Sequence, residues 1–335
     1  MTIGESINRY NKSYSPYMKN LVNHLPMGQL ALYQMTGNVE RAEEYAQYFT
    51  QRFSIDPVNP ETESANSLAA CVGKRDRYEE CLPLARDMIR KAGMKTAVTE
   101  LLNKYMTGMS SGLFHVLIRL AYAVEGAELE KELEEEVARA LAYYVTAYRE
   151  AGRLERRIDP ADILDEMMEL TKHPDIRQIL ADQPTLGKRL KELYASDVYH
   201  DQGFLLEGTE SEKAAGLLSL LVPAFINSNN MVVLHGITGL HALLNLKDVF
   251  TDFNEALDVY TTCCLTHLLT VDDLVIEPHA ATREDLPWET LLINGSQSRD
   301  VHTIKFTYTC HQLEIRHGYT NAGLKNAARF RIGID

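Results

Sequence analysis

Of the eleven histidines in this chain, His24, His115, His235 and His302 lie in four separate segments where a core residue is expected. A buried imidazole needs a polar partner. His24 sits in Leu21-Val22-Asn23-His24-Leu25-Pro26-Met27, and Pro26 suits a first helical turn, so His24 stands at a helix mouth. His115 opens the run Gly112 to Val124, which is apolar nearly all round and reads as a buried helix. Arg119, four residues on, shares its face. It is a candidate for binding an anionic oxygen of a ligand, or it pairs with a carboxylate such as Glu125. His235 lies in a second all-apolar run, Met231 to His241, whose Gly236 and Gly239 weaken a helix but allow close backbone approach. His241 is six residues further, about 240° round the helix, so His235 and His241 cannot both face one centre on a regular helix.

Two readings fit these histidines. Each bonds separately to protein groups, or a metal satisfies all four, and imidazole suits iron, zinc, copper and nickel. Lys305 shares a face with His302 at i, i+3. On the apolar side of a helix it is costly as an ammonium. It either snorkels outward or has a depressed pKa and a neutral amine free for chemistry. One such chemistry is carbamate formation with CO2, which turns a cation into an oxygen ligand for a metal. His173 and His279 beside prolines, and His317 in a charged tail, read as loop or surface groups.

Other site signatures are missing. No GxGxxG follows a strand and there is no GxxxxGK[ST], which argues against a Rossmann site and a P-loop. There is no GxSxG or HExxH. Glu314-x-x-His317 is a lone ExxH, Asp197-x-x-His200 only loosely imitates one, and a di-metal bundle needs two such motifs plus two more glutamates. His200-Asp201 is a single dipeptide that chance explains.

The elements that would carry these residues are helices. Asn38 to Phe53 and Glu128 to Tyr148 have helical apolar stripes, the second reading as one exposed helix with a buried face. Asp159-Pro160, His173-Pro174 and Gln183-Pro184 mark helix boundaries. Thr209 to Glu212 and Asn227 to Asn230 mark helix starts. Residues 273–277 and 291–294 are the only candidates for short extended pieces, and residues 54–67 and 277–299 read as loops. The expectation is an all-α fold of about a dozen helices in a single domain over residues 1–335, bundle-like or solenoid-like, although no fixed-period repeat is present.

The chain has 335 residues, 45% of them apolar, enough for a sizeable core. Its net charge of −13 argues against broad phosphate neutralisation, so no nucleic-acid partner is expected. The longest apolar stretch, Ala214 to Ile226, is too short for a membrane span and contains Pro223. The N-terminal residues lack the apolar run of a secretory signal. Cys71, Cys81, Cys263, Cys264 and Cys310 form no CxxC pair and read as buried, reduced thiols of a cytoplasmic protein.

Four stretches together resemble the questin oxidase-like family: Asn23 to Gly37 (NHLPMGQLALYQMTG), Gly112 to Glu125 (GLFHVLIRLAYAVE), Leu234 to Leu243 (LHGITGLHAL) and His302 to Cys310 (HTIKFTYTC). They come in the family's order and cover nearly the whole chain. The resemblance implies an all-helical oxidoreductase. Its fungal members act on anthraquinone-type polyketides, and the questin oxidases open a ring in a Baeyer–Villiger-like reaction with NADPH and O2. A relative cleaves an anthraquinone ring with non-heme iron held by four histidines and a carboxylated lysine. Carried over by motif, the ligands here are His24, His115, His235 and His302, with Lys305 as the modified lysine and His241 in reserve. That implies a monooxygenase or dioxygenase, with iron or another divalent metal, acting on a small aromatic substrate. Two other readings remain open on the sequence, a non-catalytic helical interaction protein and a metal-free NADPH-dependent oxidoreductase. The oligomeric state is not encoded in any pattern found.

Overall fold

Local signals start most of the helices. In the computed structural model, which describes residues 1–59, 62–277 and 286–334, Thr2 and Thr209 each close a capping box with a glutamate three residues on. Asn38, Asn230, Asp252 and Asp300 cap the helices Val39–Arg52, Met231–Asn245, Phe253–Leu269 and Val301–Ile315. Asn229 ends Glu210–Ser228 in the left-handed conformation, so the run of asparagines stops one helix and starts the next. The fold is all-α, with eighteen α-helices and four strands of two residues each among the described residues.

Three sequence expectations are corrected. The stripe from Glu128 to Tyr148 is broken. One helix ends at Leu129, residues 131–133 form a 3-10 turn, and Glu134–Ala147 follows. That last helix is buried on nearly every side from Glu136 to Thr146 rather than exposed along one face. Residues 291–294 belong to the helix Trp288–Gln297, where Trp288 and Leu291 turn inward. No strand forms at 273–277. The observed strands, Tyr17–Met18 paired antiparallel with Leu21–Val22 and Arg157–Ile158 paired parallel with Leu205–Leu206, are too short to alternate visibly. The loop expected at 277–299 lies partly outside the described residues, as does His279, and most of its described part is the helix Trp288–Gln297 rather than a loop.

The buried apolar residues form one contiguous cluster running from Ile3 to Ala328. Within it, four helices close a ring. Leu25–Thr36 packs on His115–Leu129 and Val301–Ile315, and Met231–Asn245 packs on the same two. Glu134–Ala147 covers the His115–Leu129 helix from outside, and Glu210–Ser228 and Phe253–Leu269 cover Met231–Asn245. The two glycines of that last helix sit at close approaches. A Cβ at Gly236 would meet Leu221 at 2.8 Å, and one at Gly239 would meet the Phe114 ring and the Tyr260 hydroxyl at 3.0 Å. All five cysteines are buried and free. No described helix is long and apolar enough to cross a membrane.

Candidate metal centre

All four ring helices begin at the same place. His24 is the N-cap of Leu25–Thr36 and His115 is the first residue of its helix. His302 is the second residue of Val301–Ile315, and His235 lies one turn into Met231–Asn245. One side-chain nitrogen from each lies within 4.8 Å of the other three. The structure therefore brings together the four histidines that the sequence placed in separate segments.

The outward nitrogens fix the rings. His24 Nδ1 donates to the Val22 carbonyl at 2.6 Å, His235 Nδ1 donates to the Met231 carbonyl at 2.6 Å, and His115 Nδ1 donates to the Gly112 carbonyl. His302 Nδ1 faces the Asp300 carboxylate at 3.6 Å. A carbonyl only accepts, so Nδ1 carries the proton and Nε2 presents a lone pair. Yet His24 Nε2 and His115 Nε2 are 2.6 Å apart, and His115 Nε2 and His235 Nε2 are 3.1 Å apart. Lone pairs at that distance repel unless a cation lies between them. Nitrogens bound to one metal at about 2.1 Å stand about 3.0 Å apart when cis and about 4.2 Å when trans. The observed spread up to 4.8 Å brackets both values, so the donor set fits a metal.

The electrostatics favour neutral imidazoles. Burial pulls His24, His115 and His235 well below the ordinary histidine range, and Lys305 and the neighbouring rings lower them further. Burial also lowers His302, partly opposed by the nearby Asp300 carboxylate. Four helix N-termini converge here, and their partial positive charge acts in the same direction. Lys305, 1% exposed, lies one turn below His302. Burial brings its ammonium down to about 7, with Asp300 opposing. It does not snorkel to solvent. Its Nζ lies 6.0 Å from the centre of the Tyr122 ring.

The chain reaches His115 through a strained turn. Gly112, Leu113 and Phe114 have consecutive φ values of 61°, 58° and 63°. Left-handed backbone costs a non-glycine residue roughly 1–2 kcal/mol. The turn aims the Gly112 carbonyl at His115 Nδ1 and seats Phe114 against the Tyr260 and His267 rings.

The four histidines line a cavity of about 1120 Å³. Its walls are mostly apolar, including Met18, Phe49, Leu113, Leu190 and Met231, with Arg149, Lys191 and Arg299 among the polar lining. Leu21, Phe53 and Leu186 line it while 67%, 42% and 39% exposed, beside the exposed Arg149, Glu150, Lys191 and Arg299, so its mouth is mixed in character.

Two sequence candidates lie elsewhere. Arg119 is 1% exposed and does not line the cavity; its Nη2 lies 2.8 Å from Glu136 Oε1, on the side facing Glu134–Ala147. Its carboxylate is thus Glu136 rather than Glu125. The helix starts at the site, so a residue one turn on recedes from it. His241 faces away from the cluster, as its angle from His235 requires. Its Nε2 accepts from Asn245 at 3.1 Å, and its ring stands 5.8 Å from that of His317. His317 bonds the other end of Asn245 at 2.9 Å and so belongs to this packed pair rather than to a free tail. His200 bonds the carbonyls of Arg153 and Tyr194, and Glu314 accepts from Trp288. Both roles are structural.

Sequence reasoning passed over Asp300 and His267. Asp300 is recognisable as an N-cap two residues before His302. His267 carries the same signal as the others, an imidazole in an apolar helix, and it lines the same cavity.

A protein-family model described as questin oxidase-like matches residues 21–310. That range includes all four histidine segments. No curated protein matches the chain.

Proposed function

The chain belongs to the questin oxidase-like family, and from that premise we propose that it is a metal-dependent oxygenase acting on an aromatic, quinone-type small molecule. The observation that carries this reading is the convergence of the Nε2 atoms of His24, His115 and His235, each with its Nδ1 donating to a backbone carbonyl, with a ring nitrogen of His302 within 4.8 Å of them. His24, His115, His235 and His302 would hold the metal. Iron there would supply the one-electron chemistry through which O2 reacts with closed-shell organic molecules.

The chain's own residues have definable tasks. The carbonyls of Val22, Gly112 and Met231 and the carboxylate of Asp300 orient the rings and raise their basicity. Lys305, with its amine close to half neutral near pH 7, adds CO2. A C–N bond forms, the amine proton leaves, and an ammonium site becomes a carbamate anion beside the histidines. The apolar walls take up the ring system and keep bulk water away. O2 is the oxidant in this reading, and NADPH is the reductant that the family's ring-opening members would lend it.

The test is metal analysis by mass spectrometry on protein purified without an affinity tag or chelator, beside His115→Ala. The expected result is one iron per chain, lost in the variant. No metal in the wild type, even after anaerobic loading with Fe(II), would sink the metal reading.

A further inference from the structure

The cavity contains a second built polar group that the metal reading does not use. His267 is 3% exposed and sits on the helix Phe253–Leu269. Its Nδ1 donates to the Cys263 carbonyl, one turn back, at 2.7 Å. The tautomer is therefore fixed and Nε2 is an acceptor. Among the described residues Nε2 has no hydrogen-bond partner, and the side chain lines the cavity. Its ring lies 5.1 Å from that of Phe114, the residue before His115. Tyr194 lines the same wall, and its buried hydroxyl likewise has no hydrogen-bond partner among the described residues. The Tyr194 hydroxyl is a buried group without a partner, which is costly unless something supplies one, and His267 presents a free acceptor on the same cavity wall.

We propose that His267 is a ligand-recognition residue: its Nε2 accepts a hydrogen bond from a hydroxyl on the apolar ring system that fills the cavity. The ligand class is a hydroxylated polycycle, neutral at the hydroxyl, rather than a bare hydrocarbon or an anion. Burial holds the imidazole down to about 4, so at neutral pH it accepts a hydrogen bond rather than takes the proton. The proposal rests on reading the cavity as the substrate chamber, but it does not require a metal to be bound.

The experiment uses metal-free, chelator-treated protein, so its outcome is independent of the metal analysis. Affinities for 1-naphthol and 1-methylnaphthalene, of similar size, are measured by fluorescence titration with the wild type and with His267→Phe. The wild type is expected to prefer the naphthol by roughly tenfold, the scale of one buried hydrogen bond, and the variant to lose that preference while keeping its affinity for the methyl compound. Because a large side chain at a buried site can disturb folding, the same question is put to the wild type alone. In protein with 15N-labelled histidine, the His267 Nε2 resonance should move with the naphthol and stay still with the methyl compound. Equal affinities in the wild type, a preference that survives in His267→Phe, no binding of the naphthol, or an unmoved resonance would each overturn the proposal.

Discussion

Replacing Arg119 with methionine separates a structural role from a chemical one. Arg119 is 1% exposed and Glu136 is 4% exposed, with 2.8 Å between them. Methionine keeps much of the side chain's length and removes its charge. Removing one partner of a buried ion pair typically costs about 3–5 kcal/mol, because the other charge stays buried. Here the cost belongs at the lower end. Glu136 retains Asn11, which donates to its other oxygen at 2.5 Å, and the nearby positive charge of Arg139. A loss of about 3 kcal/mol corresponds to roughly 4 °C in melting temperature for a chain of 335 residues, at about 2.1 cal/mol/K of unfolding entropy per residue. Burial already raises the Glu136 carboxyl above its ordinary range, and Arg119 pulls it back. Without Arg119 the carboxyl rises further. A carboxyl whose folded pKa lies above the unfolded one destabilises at high pH and recovers as pH falls toward the unfolded value. The penalty should therefore be largest near pH 8 and smallest near pH 4.5. The double variant Arg119→Met with Glu136→Gln should regain at least about 2 kcal/mol of the summed single losses. Denaturant midpoints at constant slope measure all three variants, and metal content should stay at the wild-type level. A single-variant loss under about 1 kcal/mol, below the range for a broken buried pair, or strict additivity in the double variant would refute the ion-pair argument. Lost turnover at unchanged stability would return Arg119 to the chemistry.

Three further outcomes are expected. Asp300→Asn keeps one acceptor for the start of Val301–Ile315 but removes the charge behind His302 and the ion pair with Arg331, and metal affinity should fall about 10–100-fold in competition titrations; an unchanged affinity would mean the carboxylate serves the helix and Arg331 alone. Lys305→Ala should lose metal or activity and recover part of it with added formate, which replaces a carbamate oxygen; failure of formate and other short carboxylates to restore either would argue against carboxylation. The third concerns pH. His267 titrates at about 4 in the folded chain against about 6.5 unfolded. Between those values only the unfolded state binds the proton, so the stabilisation is complete above pH 6.5 and is lost as pH falls to 4. His267→Gln should flatten the acid loss of stability by about 3 kcal/mol across that window in metal-free protein, and parallel wild-type and variant profiles would contradict it.

The sequence by itself determined the all-α class, several of the helices and which histidines were out of place. Periodicity, asparagine and threonine caps and proline boundaries are local, so Val39–Arg52, Glu210–Ser228 and Met231–Asn245 could be read from neighbouring residues alone. An imidazole in an apolar run is also a local anomaly, which is why His24, His115, His235 and His302 stood out, although His267 carried the same signal and was passed over. The angle between His235 and His241 followed from helix geometry, but not which of them faces the site; only the family motif suggested that. The tertiary structure decided everything that depends on two distant segments meeting. It placed four helix starts at one point, put Arg119 on Glu136, and packed His317 against His241. It also set a left-handed turn before His115, where Leu113 and Phe114 hold an unfavourable backbone because packing on Phe114 and the bond to Gly112 hold it in place. Local pattern carries information over a few residues. The separation of 278 residues between His24 and His302 is closed by core packing, and the sequence records that packing only as apolar faces without naming their partners.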